Sequence, residues 1–135
     1  MTRALGAALA AGLLAAAPAA QAGPRVDYML HCQGCHLPDG SGSPGRVPAL
    51  RGQVARFLQV EGGRAYLVRV PGSAFSALDD ARLAAVLNWL VAEFGPHESA
   101  RGFSGYTAAE VAPLRADALV DVESERARLL KMLPD

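Results

Sequence analysis

The sequence predicts an all-α fold, and three observations carry that prediction. Leu83, Val86, Leu87, Leu90, Val91 and Phe94 form an apolar stripe at helical spacing, stopped by Gly95-Pro96. Two more helix starts follow: Thr107-Ala108-Ala109-Glu110 has capping-box spacing, and Asp121 precedes a periodic run of Val122, Leu129, Leu130 and Leu133. Around Cys32 and Cys35 there is no α/β pattern of the kind a parallel sheet needs.

Taken in order, the chain begins with Arg3 and a run of Ala, Leu and Gly from Ala4 to Ala20. The run closes in Ala20-Gln21-Ala22, a small-x-small cleavage pattern before Gly23, so residues 1–22 read as a secretory signal peptide. A retained anchor is the alternative. Its length is marginal against about 30 Å of hydrocarbon, and Ala is weakly hydrophobic. Removal of Arg3 with the signal leaves twelve basic and thirteen acidic side chains in one compact domain, a balance that gives no footprint for nucleic acid. Lys131 is the only lysine, so a cationic docking surface has to be built from arginine. There is no internal repeat, no phosphate loop and no serine-hydrolase pattern.

Pro24 suits an early position of a first helix of about two turns, continued by Val26, Tyr28, Met29 and Leu30. Val26 and Leu30, at i and i+4, share one face. The helix runs into Cys32-Gln33-Gly34-Cys35-His36, the C-x-x-C-H spacing at which a c-type haem is attached. Each residue has a task there. The two thiols add across the porphyrin vinyl groups, His36 binds iron from the proximal side, and Gly34 leaves room for the ring. Competing readings explain less. A closed zinc site needs four ligands, and only two cysteines exist, so His31 or His97 would have to be recruited. A redox pair lacks its α/β setting, and a Cys32–Cys35 disulfide leaves His36 without a role.

After His36 the chain turns irregular through Leu37-Pro38-Asp39-Gly40-Ser41-Gly42, then reaches Val47-Pro48-Ala49-Leu50. With the motif, this run resembles the single-haem class I cytochrome c family. The resemblance covers about residues 24–95 and implies a small helical fold wrapped around one covalent haem c with its iron. It assigns Pro48, twelve residues after His36, the role of carbonyl acceptor for the second imidazole nitrogen, and it sets Leu50 against the haem. It also implies that Tyr28 and Trp89 meet where the first helix crosses the last core helix. Arg51, Arg56 and Tyr66 are candidates to meet the haem propionates, Arg56 foremost by its place in the family pattern. Residues 53–60 and Arg64–Val70 are expected to be short helical turns, with Tyr66, Leu67 and Val70 inward. The expected organisation is a signal at 1–22, a haem domain at 23–95 and an extension at 96–135 packed on the core, its first helix bent or broken at Pro113.

The resemblance fails at one place. Class I cytochromes carry a distal Met before the last core helix, and here the segment reads Val70-Pro71-Gly72-Ser73-Ala74-Phe75. His97 and Met132 are the remaining protein candidates for the sixth iron ligand, and an iron without a strong ligand opposite His36 is the favoured expectation. The family implies an exported, periplasmic carrier of single electrons whose partners are a dehydrogenase or an oxidase, with no membrane span once the signal is cleaved. The alternative is an open-site haem protein that binds a small diatomic molecule or peroxide. No catalytic residue is assigned, because a peroxidase needs a distal acid–base group and none is arranged here.

Overall fold

Helix α1 (Pro24–His31) begins at a proline, whose missing N–H is no loss at a first helical position. This computed structural model describes residues 23–134, and the segment read as a signal at 1–22 lies outside the described residues. Val26 and Leu30 do share a face of α1, but it is the solvent face, at 44% and 69% exposure. The inward face carries Asp27 and Tyr28, both 1% exposed. The reason lies at the crossing with α5 (Asp80–Phe94), where Tyr28 meets Trp89 and Phe94 at ring-centroid distances of 5.1 and 5.5 Å. Asp27 pairs with Arg82 in the first turns of α5. Such aromatic contacts add about 0.5–1.5 kcal/mol beyond area burial, and an eight-residue helix has only one face to commit.

Helix α5 is capped by Asp79, whose carboxylate accepts from the Arg82 N–H at 2.8 Å. All six stripe residues, Leu83 to Phe94, are buried. Between α1 and α5 lie α2 (Gln33–His36), a 3-10 turn at Arg56–Gln59, α3 (Gly63–Arg69) and α4 (Pro71–Ala74). Phe57 of the 3-10 turn stacks on Tyr66 of α3 at 5.0 Å between centroids. Among the described residues the elements are seven α-helices and this turn, so the fold is all-α, and no helix is long and apolar enough to cross a membrane.

Residues after α5 bury Tyr106, Val111 and Leu129 in the same apolar core as Tyr28 and Leu87. Helix α6 (Ala108–Ala116) starts at Thr107, whose hydroxyl accepts from the Glu110 N–H at 3.2 Å. It does not break at Pro113 but runs through to Ala116. The missing N–H removes one bond from a short helix, and Arg115 beyond the proline fixes the far end by donating to the carbonyls of Ala74, Ser76 and Leu78. Helix α7 (Val122–Met132) is capped by Asp121, which accepts from Ser124 N–H at 3.0 Å, and its Leu129 is fully buried.

Arg64 of α3 ties this extension down. It forms an ion pair with Glu110, donates to the Ser104 carbonyl at 2.8 Å, and lies 4.1 Å from the Tyr106 ring centroid. The Arg64 hydrogen bond holds the Glu110 carboxyl below its ordinary value. A depressed carboxylate stabilises the fold above its unfolded pKa, and that contribution is lost as pH falls through the lowered one. Glu110→Gln should cost about 1 kcal/mol at neutral pH and make stability less acid-sensitive, a comparison measured by urea unfolding at neutral and mildly acid pH. Equal acid sensitivity in both proteins would place the effect elsewhere.

Candidate functional site

The site is built from the end of α1 and a strained residue after α2. Cys32 closes α1, and the single turn of α2 carries Cys35 and His36. Leu37 then adopts φ 62°, ψ 162°, a region nearly reserved for glycine that costs about 1–3 kcal/mol. Two bonds hold it there: the Tyr28 hydroxyl donates to the Leu37 carbonyl, and the Leu37 N–H donates to Gln33 O at 2.9 Å. The chain therefore turns sharply just past His36.

The following loop folds back so that the Pro48 carbonyl lies 3.1 Å from His36 Nδ1. A carbonyl only accepts, so Nδ1 carries the proton and the Nε2 lone pair is left for a metal. Gly42 makes this approach feasible. Its φ is +67°, and a Cβ there would stand 2.4 Å from Val47 O and 2.8 Å from Pro48 O. Burial lowers the His36 pKa below the ordinary imidazole value, against the opposing pull of the Pro48 bond. Burial, with Asp27 adding, pushes the Cys32 thiol up to about 11. That is the reverse of the lowered pKa of a redox-active C-x-x-C pair, and Cys32 and Cys35 are both free thiols. Among the described residues no three His, Cys, Asp or Glu side chains gather as a metal cage.

Cys32, Cys35, His36, Pro48, Leu50 and Tyr66 line one cavity of about 250 Å³. Its walls are largely aliphatic, from Val54 and Leu67 to Val86, Leu87 and Leu90. The residues fit a flat apolar macrocycle: two free thiols at one edge, an imidazole with one nitrogen already bonded, and little polar surface to desolvate.

Arg56 is not brought to this cavity. Its guanidinium donates to Pro134 O at 3.0 Å, because the end of the chain passes over the 3-10 turn. Arg51 is also turned away, donating to Asp39 O at 2.7 Å and standing 5.5 Å from the Phe94 ring centroid. Among the described residues, the one permanently charged side chain on the cavity wall is Arg126, supplied by α7. Sequence reasoning passed over it, although it sits four residues after Val122 and three before Leu129, within the apolar stripe of its helix. Ser76 was missed as well. Its hydroxyl oxygen is buried on the cavity wall and has no hydrogen-bond partner among the described residues. His97 and Met132 do not line the cavity, and Met132 Sδ instead lies 3.1 Å from Arg128 Nη1.

No protein-family model matches the chain. A cytochrome c-552 from Thermus thermophilus is 39% identical to it over 118 residues, an alignment covering 73% of this chain and 90% of the relative. A second cytochrome c-552, from a particular strain of the same species, is also 39% identical, with 73% of this chain and 80% of the relative covered.

Two variants test the geometry. Cys32→Ser with Cys35→Ser should yield a protein from which acidified acetone extracts the haem, whereas the parent keeps its colour; extraction from the parent would refute covalent attachment. Gly42→Ala should cost more than about 1 kcal/mol in thermal or denaturant unfolding, because it forces the Pro48 carbonyl away from His36. A less basic imidazole stabilises oxidised iron less, so the reduction potential of that variant should rise.

Proposed function

Because the chain belongs to the class I c-type cytochrome family, whose members carry one covalent haem c with its iron and transfer electrons, we propose that it is an exported carrier between a periplasmic dehydrogenase and a downstream acceptor. The observation that best supports this reading is the convergence of Cys32, Cys35 and a Pro48-oriented His36 on one apolar cavity. When bound, the haem supplies the one-electron couple. The chain's own residues set the conditions around it. Cys32 and Cys35 take the thioether bonds, and His36 Nε2 takes the iron. The Pro48 carbonyl fixes the imidazole, while the aliphatic wall excludes water. Arg126 is the cation available to a propionate in place of Arg56. We read the chain as a carrier, not an enzyme.

The docking surface in this reading borders the attachment turn. Cys35 is exposed, and Met29, Leu30, His31 and Leu37 flank it as a mostly apolar, solvent-facing rim. A small apolar patch edged by charge suits brief encounters better than a permanent complex. Exposed Arg46, on the loop that carries Pro48, is the nearby cation to test, since Arg51 is occupied with Asp39 and Phe94. Arg46→Glu should change the rate of reduction by the natural donor at low salt and lose that effect at high salt, followed by stopped-flow absorbance. Identical rates at every ionic strength would argue for another face.

A further inference from the structure

On the reading that the cavity holds a haem ligated by His36, we propose that the iron position opposite His36 is left open at Gly72. It takes a small ligand of the carbon monoxide, nitric oxide or cyanide class, with the Ser76 hydroxyl as that ligand's hydrogen-bond partner.

The segment between α3 and α5 contributes part of the cavity wall. Val70, Gly72, Ser73 and Ser76 of this segment line the cavity, and none of them is a strong iron ligand. Gly72 is exposed to solvent as well as to the cavity, and a Cβ built on it meets nothing within 4 Å. Gly72 is therefore a solvent-exposed point of the cavity wall with no side chain to close it.

The other protein candidates do not fill that place. His97 and Met132 are off the wall. His31 is on it, but it immediately precedes Cys32, on the segment that also carries His36. Tyr66 is on it too, but its ring is packed against Phe57 at 5.0 Å between centroids.

Ser76 supplies the positive part of the argument. A buried hydroxyl without a partner is costly, and in native proteins it signals an unmet group. Ser76 Oγ is the one such side-chain atom among the described residues, and it belongs to a residue of the cavity wall. Only rotation about its own Cα–Cβ bond can bring the hydroxyl to a ligand there. Arg115 donates to Ser76 O at 2.7 Å, to Leu78 O at 2.7 Å and to Ala74 O at 3.1 Å, which pins the backbone on both sides. Binding forms one coordinate bond, displaces at most a water, and needs no oxidant or reductant beyond the iron's own state.

The experiment uses the holoprotein, whose covalent haem is first established by acid-acetone retention, so that failure of the cofactor reading is scored separately. The reduced protein is titrated with carbon monoxide and the oxidised protein with cyanide, followed by absorption and by the infrared C–O stretch. Both ligands should bind to the parent. Ser76→Ala should weaken cyanide binding about three- to tenfold and shift the C–O stretch. Gly72→Met, which nothing obstructs at Cβ, should give a low-spin spectrum that resists carbon monoxide. A parent that is already low-spin and refuses carbon monoxide overturns the open site, and recovery of binding in His31→Ala, His97→Ala or Met132→Ala would name the ligand responsible. A Ser76→Ala protein identical to the parent in both affinity and stretch overturns the role given to that hydroxyl.

Discussion

Tyr28 is the point on which the rest of the structure depends. Its ring packs against both Trp89 and Phe94 where α1 crosses α5, and its hydroxyl donates to the carbonyl of Leu37. The first contact sets the angle at which the attachment segment leaves the core. The second holds Leu37 in a backbone conformation that a leucine does not adopt on its own. Between these two constraints lie Cys32, Cys35 and His36, so core packing is converted directly into the direction of the imidazole. The Pro48 carbonyl then fixes which nitrogen faces the cavity. The direction of the attachment segment and of the His36 imidazole is a consequence of one aromatic crossing and one strained turn.

The residues after α5 are structural partners of the site. Arg64, Arg115 and Arg126 act in three ways. Arg64 anchors the start of the extension through Glu110 and the Tyr106 ring. Arg115 binds the carbonyls of the α4–α5 connection and so gives a short loop a fixed shape. Arg126 reaches the cavity wall from α7. Arg126 is only half-buried there, and the carboxylates of a haem in the cavity would be anions within its field.

Local sequence was informative where a single interaction decides the outcome. Helix starts at Thr107 and Asp121 were legible because the capping group and the capped N–H are three residues apart, and the start at Pro24 because proline suits a first helical position. The stripe from Leu83 to Phe94 and the stop at Gly95-Pro96 were legible for the same reason. The C-x-x-C-H motif named its chemistry in five residues. Local sequence was silent or misleading where distant segments compete for a face or a helix end. Spacing puts Val26 and Leu30 on one face of α1 without saying which way it points, and Tyr28 and Asp27 took the inward face because α5 offers rings and an arginine to them. Pro113 carries a helix-breaking signal, and Arg115 bonds to a remote loop outweigh it.

Residue identity and spacing predict an all-α chain and supply the C-x-x-C-H motif, and the family resemblance shows that no methionine stands at Val70–Phe75 where class I cytochromes carry one. The last two are matters of residue identity that packing leaves unchanged. Packing had to decide which arginine reaches the cavity, that Gly42 sits under the Pro48 carbonyl, and that Ser76 is buried on the wall without a partner. Those outcomes turn on groups that local sequence does not bring together, and their approach depends on how the loops, α5, α6 and α7 pack. Periodicity places a side chain on a face, but it carries no information about what the opposite face will be.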